Sequence, residues 1–122
     1  MKTAQEILNE LSNFTGTESY HRINPLMPNV VGTDGAVRMA ELCEAFWLLD
    51  VVASHMLSVP KDEGFCVAKF IKGSPSKFYL EDGNGNEYAR QVIEFTDFPL
   101  DEITLYVGRQ DQYLVCMLTG EY

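Results

Sequence analysis

Ile7, Leu8, Leu11 and Phe14 recur at intervals of one to four residues, a spacing that gathers apolar side chains on one side of an α-helix. Thr3, followed three positions later by Glu6, has the spacing of a reciprocal cap for the first turn. The pattern predicts a short amphipathic N-terminal helix of about three turns, ending near Gly16. From Thr17 to Gly32 the periodicity is lost, and Pro25 and Pro28 exclude a continuous helix. An extended segment around Tyr20 to Ile23, then a loop, is expected there. A second helical pattern starts after Thr33 or Asp34, either of which can serve as N-cap, and runs without Gly or Pro from Ala36 to Val59. Ala36, Val37, Ala40, Cys43, Trp47 and Val51 keep helical spacing, and 45–53 is apolar nearly all round. This predicts one long central helix packed on more than one side.

Beyond Pro60 the period changes from helical to alternating. Residues 65–72, 77–80, 88–96, 103–107 and 113–118 are rich in aromatic and β-branched side chains and are separated by short turn signals. Short connections imply antiparallel neighbours, because a parallel crossover needs a dozen residues or more. The expected class is α+β: a short N-terminal helix and one long central helix packed on a meander-like antiparallel sheet of about five strands in the C-terminal half.

Length and composition narrow this further. The 122 residues, 46% hydrophobic and 22% charged, suit a single folded domain over 1–122 without a disordered tract. The opening "MKTAQEILNELSNF" has no uninterrupted apolar stretch, so no secretory leader is expected. The most apolar run, 45–53, is interrupted by Asp50 and too short to cross a bilayer. Cys43, Cys66 and Cys116 are odd in number, widely spaced and set among apolar residues, as suits reduced thiols in a cytoplasmic core rather than a disulfide or zinc framework.

Charge is the one unusual bulk property. Eighteen acidic residues against nine basic give −9, and residues 81–122 carry nine of those acids with only two bases. Such a field repels phosphate backbones and anionic membranes and attracts basic partners. Neither direct nucleic-acid binding nor membrane association is expected.

Candidate chemistry is sparse. "LEDGNGNEYA" resembles the opening of a calcium loop, but an EF-hand starting at Asp82 requires Gly where Glu87 stands and an acidic ligand where Ile93 stands. Asp-Gly and Asn-Gly between alternating strands predict a hairpin turn instead. In "FTDFPLDEITLY" Pro99 should end the preceding strand by Asp97, with Thr96 and Asp97 bonding their own backbone and Phe98 and Leu100 as apolar anchors. Asp50, in "FWLLD", needs a partner if buried, and Ser54 one turn on is a local candidate. His21 and His55 could serve a cysteine nucleophile, yet nothing local joins either to a thiol, and no phosphate loop or nucleophile elbow is present. No catalytic residue, metal ligand or cofactor is assigned.

The strings "LSNFTGTESYHR", "TDGAVRMAELCEAFWLLDVVASH", "EDGNGN", "FTDFPLDEITLYV" and "LTGEY" together resemble an uncharacterised family of short bacterial and mobile-element proteins, domain of unknown function DUF6876. The resemblance implies a small cytoplasmic protein, often carried by plasmids or phages, and brings no activity with it. Two functional expectations result. One is a non-enzymatic acidic interaction protein whose Glu81, Asp82, Glu87, Glu94, Asp97, Asp101 and Glu102 meet a basic partner. Given the resemblance, that partner would be a nucleic-acid-binding host defence protein, as for an anti-CRISPR or anti-restriction antagonist. The alternative is a small-molecule site, in a nucleotide sponge or small enzyme, beside the central helix with Tyr20, Trp47, Asp50 and His55. A homodimer through an exposed strand edge is compatible with either.

Overall fold

The first helix forms where its capping pair predicts. In the computed structural model, which describes residues 2–16 and 19–122, α1 spans Ala4–Leu11. Thr3 Oγ1 accepts from the Glu6 N–H at 3.2 Å and the Thr3 N–H donates to the Glu6 carboxylate at 3.0 Å. Ile7 and Leu11 are buried and Leu8 faces solvent. The helix stops at Leu11, about a turn before the expected end near Gly16. Thr17 and Glu18, which begin the stretch expected to lack helical periodicity, lie outside the described residues, as does Met1.

The expected long central helix is two helices, α2 (Asp34–Leu42) and α3 (Phe46–Met56). Thr33 caps α2 by accepting from the Ala36 N–H, as the sequence suggests. The break uses a Schellman closure without its usual glycine: Glu44 stands at φ 52°, Ala45 N–H donates to Ala40 O at 2.8 Å and Glu44 N–H to Glu41 O at 3.4 Å. Ala40 and Ala45, the positions that flank such a closure with apolar side chains, are both fully buried. Nothing in the sequence punctuates this point, because the residue in the left-handed conformation is not Gly or Asn.

Among the described residues the sheet has seven strands rather than about five, in the order β1-β2-β7-β6-β3-β4-β5. Five of them, β3 (Phe65–Ile71), β4 (Ser76–Glu81), β5 (Glu87–Ile93), β6 (Glu102–Gln110) and β7 (Tyr113–Leu118), lie where alternation predicts. The extended segment at Tyr20 is strand β1 (Tyr20–Arg22). The expected loop contains β2 (Val30–Thr33), whose four residues are all buried. A strand covered on both faces shows no alternation, so periodicity does not reveal it. β2 pairs with β7 in parallel, so the sheet is mixed rather than purely antiparallel. Nor is it a simple meander: after the β3-β4-β5 hairpins the chain crosses back, and β6 joins the far side of β3.

One face of the sheet carries the main core. Phe70, Phe78, Leu80, Leu105, Val107 and Cys116 meet Met39, Leu48, Leu49, Val52 and Ala53 of the helices. Full burial of each large apolar side chain contributes about 1.5–3 kcal/mol. The opposite face has a smaller cluster of Val31, Val115 and Met117 against Tyr106. Beside it the rings of Phe65, Tyr106 and Tyr122 lie with centroids 5.0–5.5 Å apart. Among the described residues no helix is long and apolar enough to cross a membrane.

Candidate functional site

The crossover from β5 to β6 is the segment where packing and exposure diverge most. Phe98 and Leu100 are buried, and Phe98 sits edge-on to Phe70 at 5.0 Å and to Trp47 at 6.3 Å, joining the crossover to β3 and α3. Thr96 Oγ1 accepts from the Phe98 N–H at 3.2 Å, the local turn expected of that threonine. Asp101 O accepts from the Lys72 N–H at 2.8 Å. Backbone and anchors are thereby fixed, while Phe95 projects outward with 92% of its surface exposed. Phe95 is not part of β5, which ends at Ile93 rather than near Thr96.

The seven candidate acidic residues fall into two groups. Glu81 is paired with Lys69 at 2.9 Å and Glu87 with Arg90 at 3.1 Å. Both oxygens of Asp82 are taken up inside the β4–β5 turn: Oδ1 accepts from the N–H groups of Asn84 and Asn86 at 2.7 and 3.1 Å, and Oδ2 from Asn86 Nδ2 at 2.7 Å. These bonds to the ionised form hold the Asp82 carboxyl below the usual range, the Asn86 side chain contributing most. Gly83 and Gly85 take the positive φ that the tight turn needs, so the stretch is a hairpin, as its Asp-Gly and Asn-Gly pairs indicate.

Glu94, Asp97, Asp101 and Glu102 form the other group. All four are exposed, and among the described residues none has a side-chain ion pair or hydrogen bond. They run from the β5 edge to β6, across three inter-strand spacings or roughly 14 Å. Asp97 is common to two grooves. One, of about 350 Å³, is walled by Trp47, Ile93, Phe95 and Thr96. The other, of about 420 Å³, has Glu41 and Glu44 with Lys2, Leu42 and Pro99 in its lining. The α2–α3 turn thus brings Glu41 and Glu44 to the same rim. Sequence reading misses both, since they lie far from the acidic last third, and it misses Phe95 by placing it inside a strand. The breaker Pro99 and the turn-forming Thr96 were the signals that the strand stops early.

Tyr20, Trp47, Asp50 and His55 do not converge. Tyr20 is on β1 at one sheet edge and hydrogen-bonds Gln110 at 3.2 Å. His55 stacks on Phe78 of β4, near the other edge, and bonds the Gln91 side chain at 2.7 Å. Trp47 packs into the Phe70–Phe98 aromatic group. Asp50 accepts from Asn24 Nδ2 at 3.2 Å, not from Ser54, whose hydroxyl donates to Val51 O.

The cysteines are free and buried. Burial pushes the thiols of Cys43 and Cys66 up to about 11 and that of Cys116 up to about 12. Each is therefore neutral at physiological pH and a poor nucleophile. His21 bonds Asp34 at 2.6 Å rather than a thiol.

A family model described as "Family of unknown function (DUF6876)" matches residues 5–122, and the chain belongs to that family. No curated protein and no solved structure matches it.

Proposed function

We propose that this DUF6876 member is a binding protein that engages a basic partner through the acidic β5–β6 crossover. The observation that carries the reading is the juxtaposition on one rigidly anchored segment of a nearly fully exposed aromatic, Phe95, with carboxylates that no cation among the described residues neutralises. Interfaces concentrate their energy in a few aromatic anchors, and a surrounding charged rim sets orientation and on-rate. Asp97, Asp101 and Glu102, with Glu44 on the neighbouring turn, supply that rim here, and Glu41 beside them is paired with Arg38 at 3.5 Å. The groove lined by Asp97, Glu41 and Glu44, with Lys2 also in its wall, would accept a lysine or arginine side chain of the partner.

The finer reading concerns which basic partner this is. An acidic surface on a rigid frame suits a nucleic-acid-binding protein, whose cationic groove would otherwise hold phosphates. A host defence protein of that kind, antagonised by occupation of its nucleic-acid site, is the partner class we propose. The chain itself then needs neither a cofactor nor a reaction.

The test compares bait chains in host lysate with quantitative mass spectrometry, at about 50 mM and about 500 mM salt. A basic protein enriched by the wild type should drop at least about tenfold with Asp97→Lys, Asp101→Lys and Glu102→Lys combined, and similarly at the higher salt. Phe95→Ala should weaken capture at both salt concentrations. Capture unaffected by the triple charge reversal and by salt removes the proposal.

A further inference from the structure

The two edges of the sheet differ. β1 is three residues long, and short edge strands resist adding a neighbour. β5 is seven residues long and pairs only with β4. Among the described residues its backbone makes no hydrogen bond outside that ladder. Its outer edge also carries apolar surface, since Val92 is 51% exposed and Phe95, just beyond the strand, 92%. An edge of this kind is a template for another strand.

The charges on this strand select one partner and one register. Along a strand the N–H and C=O groups of successive residues point alternately to either side, so the outward-facing residues of β5 share one parity. When two copies pair antiparallel about a twofold axis, outward-facing residues meet outward-facing residues, and the axis passes through a residue rather than between two. Centring on Arg90 sets two guanidinium groups opposite each other. Centring on Ala89 or Gln91 faces Arg90 with Tyr88 or Val92. Centring on Val92 faces Arg90 with Glu94 of the second copy, twice by symmetry, and this alone offers Arg90 a carboxylate. The same register sets Val92 against Val92, while Phe95, beyond the end of β5 at Ile93, stays outside the paired strands. Arg90 is 62% exposed; it is bonded to Glu87 through Nε and one Nη and lies over the Tyr79 ring of β4 at 5.1 Å, so the cross-strand pair is made through its other Nη once the guanidinium turns outward.

We propose that the chain forms a homodimer by antiparallel pairing of β5 with β5 of a second copy, centred on Val92 and fixed by reciprocal Arg90–Glu94 ion pairs. The two seven-stranded sheets then continue into one, and the two acidic crossovers stand on either side of the new junction. The inference does not depend on the basic partner, since it concerns the chain alone. Glu94 is engaged in the dimer, leaving Asp97, Asp101 and Glu102 of each copy for other contacts.

Sedimentation equilibrium of the full chain tests it. The wild type is expected at twice the chain mass in the micromolar range. Arg90→Glu or Glu94→Arg alone sets like charges opposite each other at both symmetric positions and should weaken association at least about tenfold. The double variant restores opposite charges and should return it to near the wild-type value. Val92→Cys should give a disulfide-linked dimer on mild oxidation, because directly opposed residues lie within bridging distance. Lys77→Cys, beside Val92 on β4, should not, and the buried native thiols take no part. The triple lysine variant used to probe the basic partner should remain dimeric, so the two proposals fail separately. A monomeric wild type, or single reversals that dimerise like the wild type, overturns the inference.

Discussion

Glu121 shows how much one carboxylate can organise. It accepts from the Thr33 hydroxyl at 2.6 Å, the Gly35 N–H at 3.0 Å and the Leu118 N–H at 3.0 Å. It thereby joins the end of β7 to the first turn of α2, where the exposed helix N–H groups favour a negative charge. A Cβ at Gly35 would lie 2.8 Å from Leu118 Cδ1 and closer still to the Glu121 carboxylate, so the approach requires glycine. Glu121→Ala strands the Thr33 hydroxyl and two backbone donors and should cost about 2–3 kcal/mol, read as a lower urea midpoint at unchanged slope. Gly35→Ala should destabilise by a similar amount through steric displacement of the same carboxylate. A midpoint within experimental error of the wild type for both variants would mean the three bonds contribute nothing net.

Among the elements, the α2–α3 break most changes the molecule relative to its sequence pattern. The turn places Glu44 at φ 52°, where a Cβ costs about 1–2 kcal/mol. Glycine escapes that strain but gives up about 0.5–1 kcal/mol in unfolded-chain entropy. Glu44→Gly should therefore stabilise by up to about 1 kcal/mol, measured by chemical denaturation, whereas Glu44→Val should destabilise, because a β-branched residue fits the left-handed region worst. If the two variants ranked the other way, the strain assigned to this turn would be wrong. The glycine variant also removes one acidic group from the proposed binding rim, so partner affinity and stability should move in opposite directions.

For the whole molecule, protonation limits stability from both sides. The carboxyls of Glu6, Glu10 and Asp82 lie below their ordinary values: Glu6 through its bond from the Thr3 backbone, Glu10 mainly through its bond with Arg38, and Asp82 mainly through Asn86. Their folded forms prefer ionisation, so the stability they contribute is present above the ordinary carboxylate range and is lost as pH falls below it. The alkaline limit works in the opposite sense. Tyr88, which donates to Glu63 at 2.7 Å, is raised to about 12, and burial raises Cys116 to about 12 from 9.0. Those contributions are intact below about pH 9 and decline as pH climbs toward about 12. Melting midpoints should fall on both sides, below about pH 4 and above about pH 9. Cys116→Ala should flatten the alkaline limb while lowering stability at neutral pH through the cavity it leaves.

The sequence by itself determined the local features whose signals are local. The Thr3–Glu6 cap, the Thr33 cap, the Asp82–Asn86 hairpin and the alternation of β3 to β7 all arise from neighbours within a few positions, and each appears in the structure where its residues place it. It also set the family and the surplus of negative charge. Tertiary structure alone decided what depends on distant partners. β2 is a strand because β7, more than eighty residues later in the chain, supplies its ladder, and its two-sided burial erases the alternation that would reveal it. The central helix breaks at Glu44 because burial of Ala40 and Ala45 and the bond from Ala45 N–H to Ala40 O offset a strained φ that composition does not announce. Whether a carboxylate is bound internally or left facing solvent follows from the fold: Glu81 meets Lys69 across the β3–β4 ladder, while Asp97 meets only the opening of two grooves. Short-range geometry is written into adjacent residues, but pairing energies and exposure are fixed only when remote segments come together.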